Sequence, residues 1–288
     1  MKKSLVLALV ILALTLLTVP AASAQDIGEL TVTCPNGLSF TNGVEFRVVQ
    51  MRAGFDYRVT AIGINGFDPV LAVLNSQLAE GLCADDSPEA LNFAASLPSS
   101  GEVVATTTSA QLTFHHTGQG SMENTSIVVG GYGDSEGQFI LLIEGMAATA
   151  EDNAGDPFAI RITPAMLESN VPIFAYAIAT VEDFFDPTLA QIDANYNVVT
   201  DSSGVAVSCD DAGTNNCYLD APNLSDYGLV LDGTILPGGD LDSALLIDTS
   251  TMRLNNDPDL NFINLLVSSF GEQEGHYVLA IHVGTAED

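Results

Sequence analysis

The chain has no tryptophan, and it sets only seven lysines and arginines against 37 aspartates and glutamates. No lysine follows Lys3; the basic residues beyond it are Arg47, Arg52, Arg58, Arg161 and Arg253. The formal net charge is −30, a surface that repels phosphate backbones and anionic headgroups and so disfavours nucleic acid and membrane surfaces as partners. There is no C-x-x-C pair to suggest zinc and no EF-hand spacing. Beyond residue 24 there is no long apolar run, so no membrane insertion of the mature chain is expected. What is present is apolar: hydrophobic residues make up 47%, recurring as short runs of Val, Ile and Leu, which is enough for a packed core and unlike an acidic disordered chain.

Residues 1–24 read as a bacterial export signal. Lys2 and Lys3 precede an apolar stretch from Leu5 to Leu17, and Ala22-Ser23-Ala24 is a small-residue cleavage site. The expectation is a secreted or cell-surface protein. In that compartment the four cysteines are expected as disulfides. Cys209 and Cys217 lie eight apart across a polar turn and should close locally, which leaves Cys34 to pair with Cys83.

The segment NLLVSSFGEQEGHYVLAIHV (264–283) is two apolar runs around a glycine-bearing polar turn, a hairpin signature. Its counterpart is SIVVGGYGDSEGQFILLIE (126–144), 138 residues earlier, with Tyr132 and Phe270, Gly133 and Gly271, and Gly137 and Gly275 in register. The echo extends upstream: Phe67-Asp68-Pro69 answers Phe185-Asp186-Pro187 at an offset of 118, and Cys83-Ala-Asp85-Asp86 answers Cys209-Asp210-Asp211 at 126 on the cysteine. Ser109-Ala110 answers Asp242-Ser243. Such an echo is a duplication, and its drifting offset places insertions in loops. The resulting division is 1–24 signal, 25–148 first unit, 149–155 linker (within the polar run AATAEDNAGD) and 156–288 second unit. Short β-branched strands at near-regular spacing with turn signals imply an all-β fold of two tandem β-sandwich, jelly-roll-like domains. The stretch 88–101 is ambiguous and admits a helical turn.

The ordered string Asp-Pro-x-Leu, Asp-Asp, Asp-Ser-x-Leu, then Tyr/Phe-Gly resembles the bacterial pre-peptidase C-terminal domain family, with the second unit the better match. The resemblance implies small β-sandwiches carried by exported proteins, some of which bind calcium or aid attachment. In the first unit Ser109 stands where the pattern has aspartate.

Three chemistries compete for the remaining residues. Asp183, Asp186, Asp210, Asp211 and Asp242 fall in loops at strand ends and offer the oxygen ligands that Ca2+ takes; Asp68, Asp85 and Asp86, with Asn65, are the first-unit counterparts. The alternative for each is turn capping through backbone N–H groups. Leu246-Ile-Asp248-Thr249-Ser250 resembles half of an aspartic-protease dyad, but the counterpart of Asp248 is His115. The four histidines are read as surface or turn residues. Tyr132, Phe139, Phe270 and Tyr277 are read as hairpin packing, with sugar stacking as the other reading. The expectation is a non-enzymatic binding or structural protein, calcium-stabilised, acting on an extracellular protein or glycan. A carbohydrate- or polymer-binding module is the alternative, and a hydrolase the least favoured.

Overall fold

A computed structural model describes residues 30–284 except 42, 76–81, 117–121, 149–154, 181–184, 215, 220, 251, 256 and 258–259. The proposed signal and nearly all of the proposed linker therefore lie outside the described residues.

The chain is all-β. The first repeat runs through β1 (Val32–Thr33), β2 (Ser39–Phe40), β3 (Val44–Met51), β4 (Asp56–Gly63), β5 (Pro69–Leu74), β6 (Leu82–Ala84), β7 (Ala94–Leu97), β8 (Gly101–Val104), β9 (Ala110–His115), β10 (Met122–Gly131) and β11 (Phe139–Ala148). The second runs through β12 (Asp156–Arg161), a short helix α1 (Pro164–Glu168), β13 (Ile173–Ala179), β14 (Pro187–Ile192), β15 (Ser208–Cys209), β16 (Gly228–Leu231), β17 (Thr234–Pro237), β18 (Ser243–Ile247), β19 (Phe262–Ser269) and β20 (Gly275–Val283). The ambiguous stretch 88–101 becomes one 3-10 turn, Pro88–Asn92, followed by β7 and the start of β8.

The strands form three main antiparallel sheets, and every one contains strands of both repeats. The large sheet has the order β15-β14-β19-β12-β3-β10-β5-β6, the middle sheet β18-β13-β20-β11-β4-β9, and a cap sheet β17-β16-β7-β8. The expected boundary at 149–155 does separate the repeats in sequence. Hydrogen bonding, however, crosses it three times, at β12–β3, β11–β20 and β16–β7. The two units therefore share one core instead of each closing its own sandwich.

Strand register locates an internal two-fold axis. Ser126 lies opposite Arg47 and its counterpart Asn264 opposite Ala159, so Arg47 and Ala159 are equivalent, and they face each other across β3–β12. In the middle sheet the equivalent residues Leu142 and Ala280 likewise face each other across β11–β20. An axis through both pairs sends the same loop of each repeat to opposite ends of the molecule.

Alternation sorts the side chains into layers. Phe46, Val48, Ile127, Phe158, Ile160 and Leu265 of the large sheet pack against Val59, Leu141, Ile143, Ile173, Leu279 and Ile281 of the middle sheet. The opposite face of the middle sheet, with Ile140, Leu142, Tyr176 and Val278, is covered by Ala95, Leu97, Leu229 and Leu236 of the cap sheet. The middle sheet is thus buried on both faces, which is why β11 and β20 read as near-continuous apolar runs. Asp232 and Gly233, both at positive φ (52° and 77°), make the two-residue turn joining β16 to β17, a turn legible as an Asp-Gly pair.

The β1–β2 hairpin covers the outer face of the first repeat, where its Phe40 packs on Val70, Ala72 and Val128. A Cβ on Gly130 would lie 2.1 Å from the Phe40 ring. Among the described residues the second repeat has no such hairpin, and Ser268 stands at the equivalent position. Gly130→Ala is expected to destabilise by about 1–3 kcal/mol through overpacking, and Ser268→Ala by well under 1 kcal/mol. Urea unfolding of the two variants checks this; equal effects would refute it.

Candidate metal centre

Each repeat builds the same acidic corner from one tripeptide and one strand end. In Phe185-Asp186-Pro187 the three residues have separate tasks. Phe185 is buried, stacks on Tyr277 with centroids 5.8 Å apart, and lies so close to Gly275 that a Cβ there would sit 2.3 Å from its own. Pro187 opens β14, where a missing N–H is tolerated and the preceding residue is held extended. Asp186 between them is aimed across to β15, because antiparallel pairing sets the start of β14 beside the end of β15. That strand end delivers Asp210 and Asp211. The first repeat repeats each contact: Phe67 stacks on Phe139 at 6.0 Å and crowds Gly137, Pro69 opens β5, and β6 delivers Asp85 and Asp86. The recurrent second hairpin glycine is thus explained by an aromatic ring and not by a turn.

Asp186, Asp210 and Asp211 each place a carboxylate oxygen so that all three lie within 4.8 Å of one another, and so do Asp68, Asp85 and Asp86. Asp186 is only 9% exposed. One oxygen each of Asp68, Asp85, Asp186, Asp210 and Asp211 is buried with no hydrogen-bond partner. Among the described residues, every buried unpartnered carboxylate oxygen belongs to one of these two corners. Burial raises the Asp186 carboxyl to about 6, with the charges of Asp210 and Asp211 adding to it. Asp210 is raised by burial and then by Asp211, Asp68 by burial and then by Asp85 and Asp86, and Asp85 by burial. Buried anions this close are unfavourable without a counter-charge.

The other expected residues divide. Asp183 lies outside the described residues. Asp242 is buried beside the corner, but its two oxygens accept from the backbone N–H of Ala179 (2.9 Å) and Gly239 (2.7 Å). Its counterpart Ser109 accepts from the N–H of Thr106 at 3.0 Å, the same bond at the same place. Asp242 is therefore a loop cap, raised to about 6 by burial against the pull of those two hydrogen bonds. The hydroxyl of Ser243 next to it donates to the Pro187 carbonyl, holding β18 against the corner.

Register also corrects the cysteine alignment. Ala84 faces Leu71 and Cys209 faces Leu189, so Ala84 and Cys209 are equivalent and the Asp-Asp pairs match at an offset one residue shorter than the cysteines suggest. A one-residue slip turns a side chain to the other face of the sheet. Accordingly Cys83 bonds Cys34 of the N-terminal segment, whereas Cys209 bonds Cys217 in its own loop. Both disulfides were expected, and both tether the strand end that carries an acidic pair.

The remaining candidates resolve as follows. Asp248 is exposed and accepts from the N–H of Ser250 at 2.9 Å, a turn contact. His115 is exposed and meets Asp56 at 2.7 Å. His116 and His282, expected at the surface or in turns, are buried. His282 stacks on Phe174 at 5.8 Å with Nδ1 2.8 Å from Ser99 Oγ, since its face of β20 is the one the cap side covers. Its imidazole is pushed down to about 4 by burial. The four matched aromatics separate into two classes. Phe139 and Tyr277 are core, but Tyr132 and Phe270 are 55% and 59% exposed. The sequence carried a signal for this: both precede a glycine that breaks the strand alternation, Gly133 (φ 62°) and Gly271 (φ 70°).

No family model matches the chain, and no curated protein matches it. Among the described residues, no helix is long and apolar enough to cross a membrane.

Proposed function

We propose that this is an exported, non-enzymatic binding protein whose two repeats each hold a divalent cation of the calcium class at the acidic corner. The observation that carries the reading is the pair of three-carboxylate clusters with buried, unpartnered oxygens. Calcium takes six to eight oxygens at about 2.3–2.6 Å; three carboxylates supply the charge, and carbonyls, water or ligand oxygens supply the rest. Asp186, Asp210 and Asp211 would hold it in the second repeat, and Asp68, Asp85 and Asp86 in the first. The two disulfides agree with an oxidising, extracellular setting. The resemblance to pre-peptidase C-terminal domains points the same way.

Titration calorimetry of the exported chain tests the reading. The expected result is two calcium ions bound, falling to one in Asp210→Asn combined with Asp211→Asn. An unchanged stoichiometry and affinity in that variant would return these aspartates to a purely structural role.

A further inference from the structure

We propose that each acidic corner is half of a glycan subsite, in which the cation takes hydroxyl oxygens of a neutral sugar and the exposed ring beside it, Phe270 or Tyr132, stacks on the sugar's C–H face. This rests on the cation reading above. The ring and the carboxylates are coupled through the backbone: the N–H of Phe270 donates to the carbonyl of Asp186, and that of Tyr132 to the carbonyl of Asp68, both at 2.9 Å. A second tie, from the N–H of Asp186 to Gln273 Oε1 at 3.1 Å, closes the loop behind the ring in the second repeat.

Asp186 is nine-tenths buried, with an unpartnered oxygen in the cluster, so the corner is a built site and not a scatter of surface acids. Three carboxylates leave several coordination positions of a calcium ion open, and neutral hydroxyls fill them without adding like charge. The aromatic is the second arm. A large ring held out of a core that lies one strand away exposes apolar surface to water in both repeats, at equivalent positions, with the glycine after it in the left-handed region. An apolar ring face beside a few polar groups that set orientation is the usual make-up of a small-ligand site. A protein partner would need roughly 800 Å² per side with an apolar centre, which one ring does not supply. The excess of carboxylates disfavours an acidic polymer.

The internal two-fold axis places the corners at opposite ends. Each lies about five residues along and two to three strands away from the axis, so the two are roughly 40 Å apart at ~3.4 Å per residue and ~4.8 Å per strand. No single sugar spans both, and each subsite acts by itself.

The test is affinity electrophoresis of the exported chain through native gels containing mannan, galactan or glucan, with calcium or chelator, alongside calcium-induced thermal shift. The expected result is calcium-dependent retardation by at least one polymer. Tyr132→Ala combined with Phe270→Ala should weaken retardation at least tenfold and leave the calcium shift unchanged. Asp210→Asn with Asp211→Asn should reduce both readouts. A calcium shift without retardation by any of the three polymers, or an aromatic double variant retarded like the parent, overturns the glycan subsite and leaves the cation site standing. No calcium shift at all overturns both.

Discussion

Calcium at a hundred times its dissociation constant should raise the unfolding temperature of residues 25–288 by roughly 5–10 °C per site, and chelator should reverse it. A ligand that binds only the folded state at that excess adds about 2.7 kcal/mol. In a chain of this size each kcal/mol is worth about 2–4 °C. The effect should depend on pH in a defined direction. The Asp186 carboxyl is raised to about 6, above its ordinary value near 3.9, so it is charged only above that pH. A carboxyl raised in this way costs the calcium-free fold stability as pH climbs from about 4 to 6; Asp242, also raised to about 6, does the same. The cation binds the charged form, so the difference between calcium and chelator should grow as pH rises through 6 and shrink below it. His282, held down to about 4, acts oppositely on total stability, destabilising the fold as pH falls below about 6.5. It enters both measurements equally and cancels in the difference. A calcium shift that was the same at pH 5 and pH 7 would contradict the assignment of Asp186 as a ligand.

Asp156→Ala should cost about 3–5 kcal/mol and unfold both repeats together. Asp156 opens β12, and its Oδ1 accepts from Arg52 at 3.1 Å across the seam between repeats. Its Oδ2 accepts from the hydroxyl of Tyr277 at 3.1 Å, in the facing sheet. Burial, followed by the charge of Asp156, raises that phenol well above its ordinary value, so it stays protonated and donates. Alanine takes a carboxylate from the buried Arg52 guanidinium and strips the phenol of its acceptor, and breaking one partner of a buried charge network has this magnitude. Because strands of both repeats alternate in one core, urea unfolding should show a single transition whose midpoint drops with its slope unchanged. Two transitions, with the variant moving only one, would mean that the repeats fold independently. The isolated segments 25–148 and 156–288 should not fold, since each would expose β11 or β20 as an apolar edge.

The acidic corner was largely legible in the chain, and the reason is local. Phe-Asp-Pro packs a ring, aims a carboxylate and starts a strand within three residues, and a strand end carrying Asp-Asp needs only antiparallel pairing to meet it. Asp242 was not separable from the corner aspartates by type, because capping and coordination both call for a buried carboxylate at a loop. Only the N–H groups of Ala179 and Gly239, 63 and three residues away, decide between them. The exposed rings were misassigned for a similar reason. Phe270 and Tyr277 are both aromatics of one hairpin, and the break in strand alternation at Gly271 leaves the first in water and the second in the core.

The sequence by itself determined the duplication, the all-β composition, both cysteine pairs and the residues of the acidic corners, because each is written in spacing of a few residues or in a repeated order. Tertiary structure alone decided that the repeats are not separate. A strand's alternation records that one face is apolar, but not whose strand supplies the neighbouring hydrogen bonds. Here β3 finds β12 and β11 finds β20, and that pairing, which costs nothing in local sequence, merges two repeats into one core and points their two sites in opposite directions.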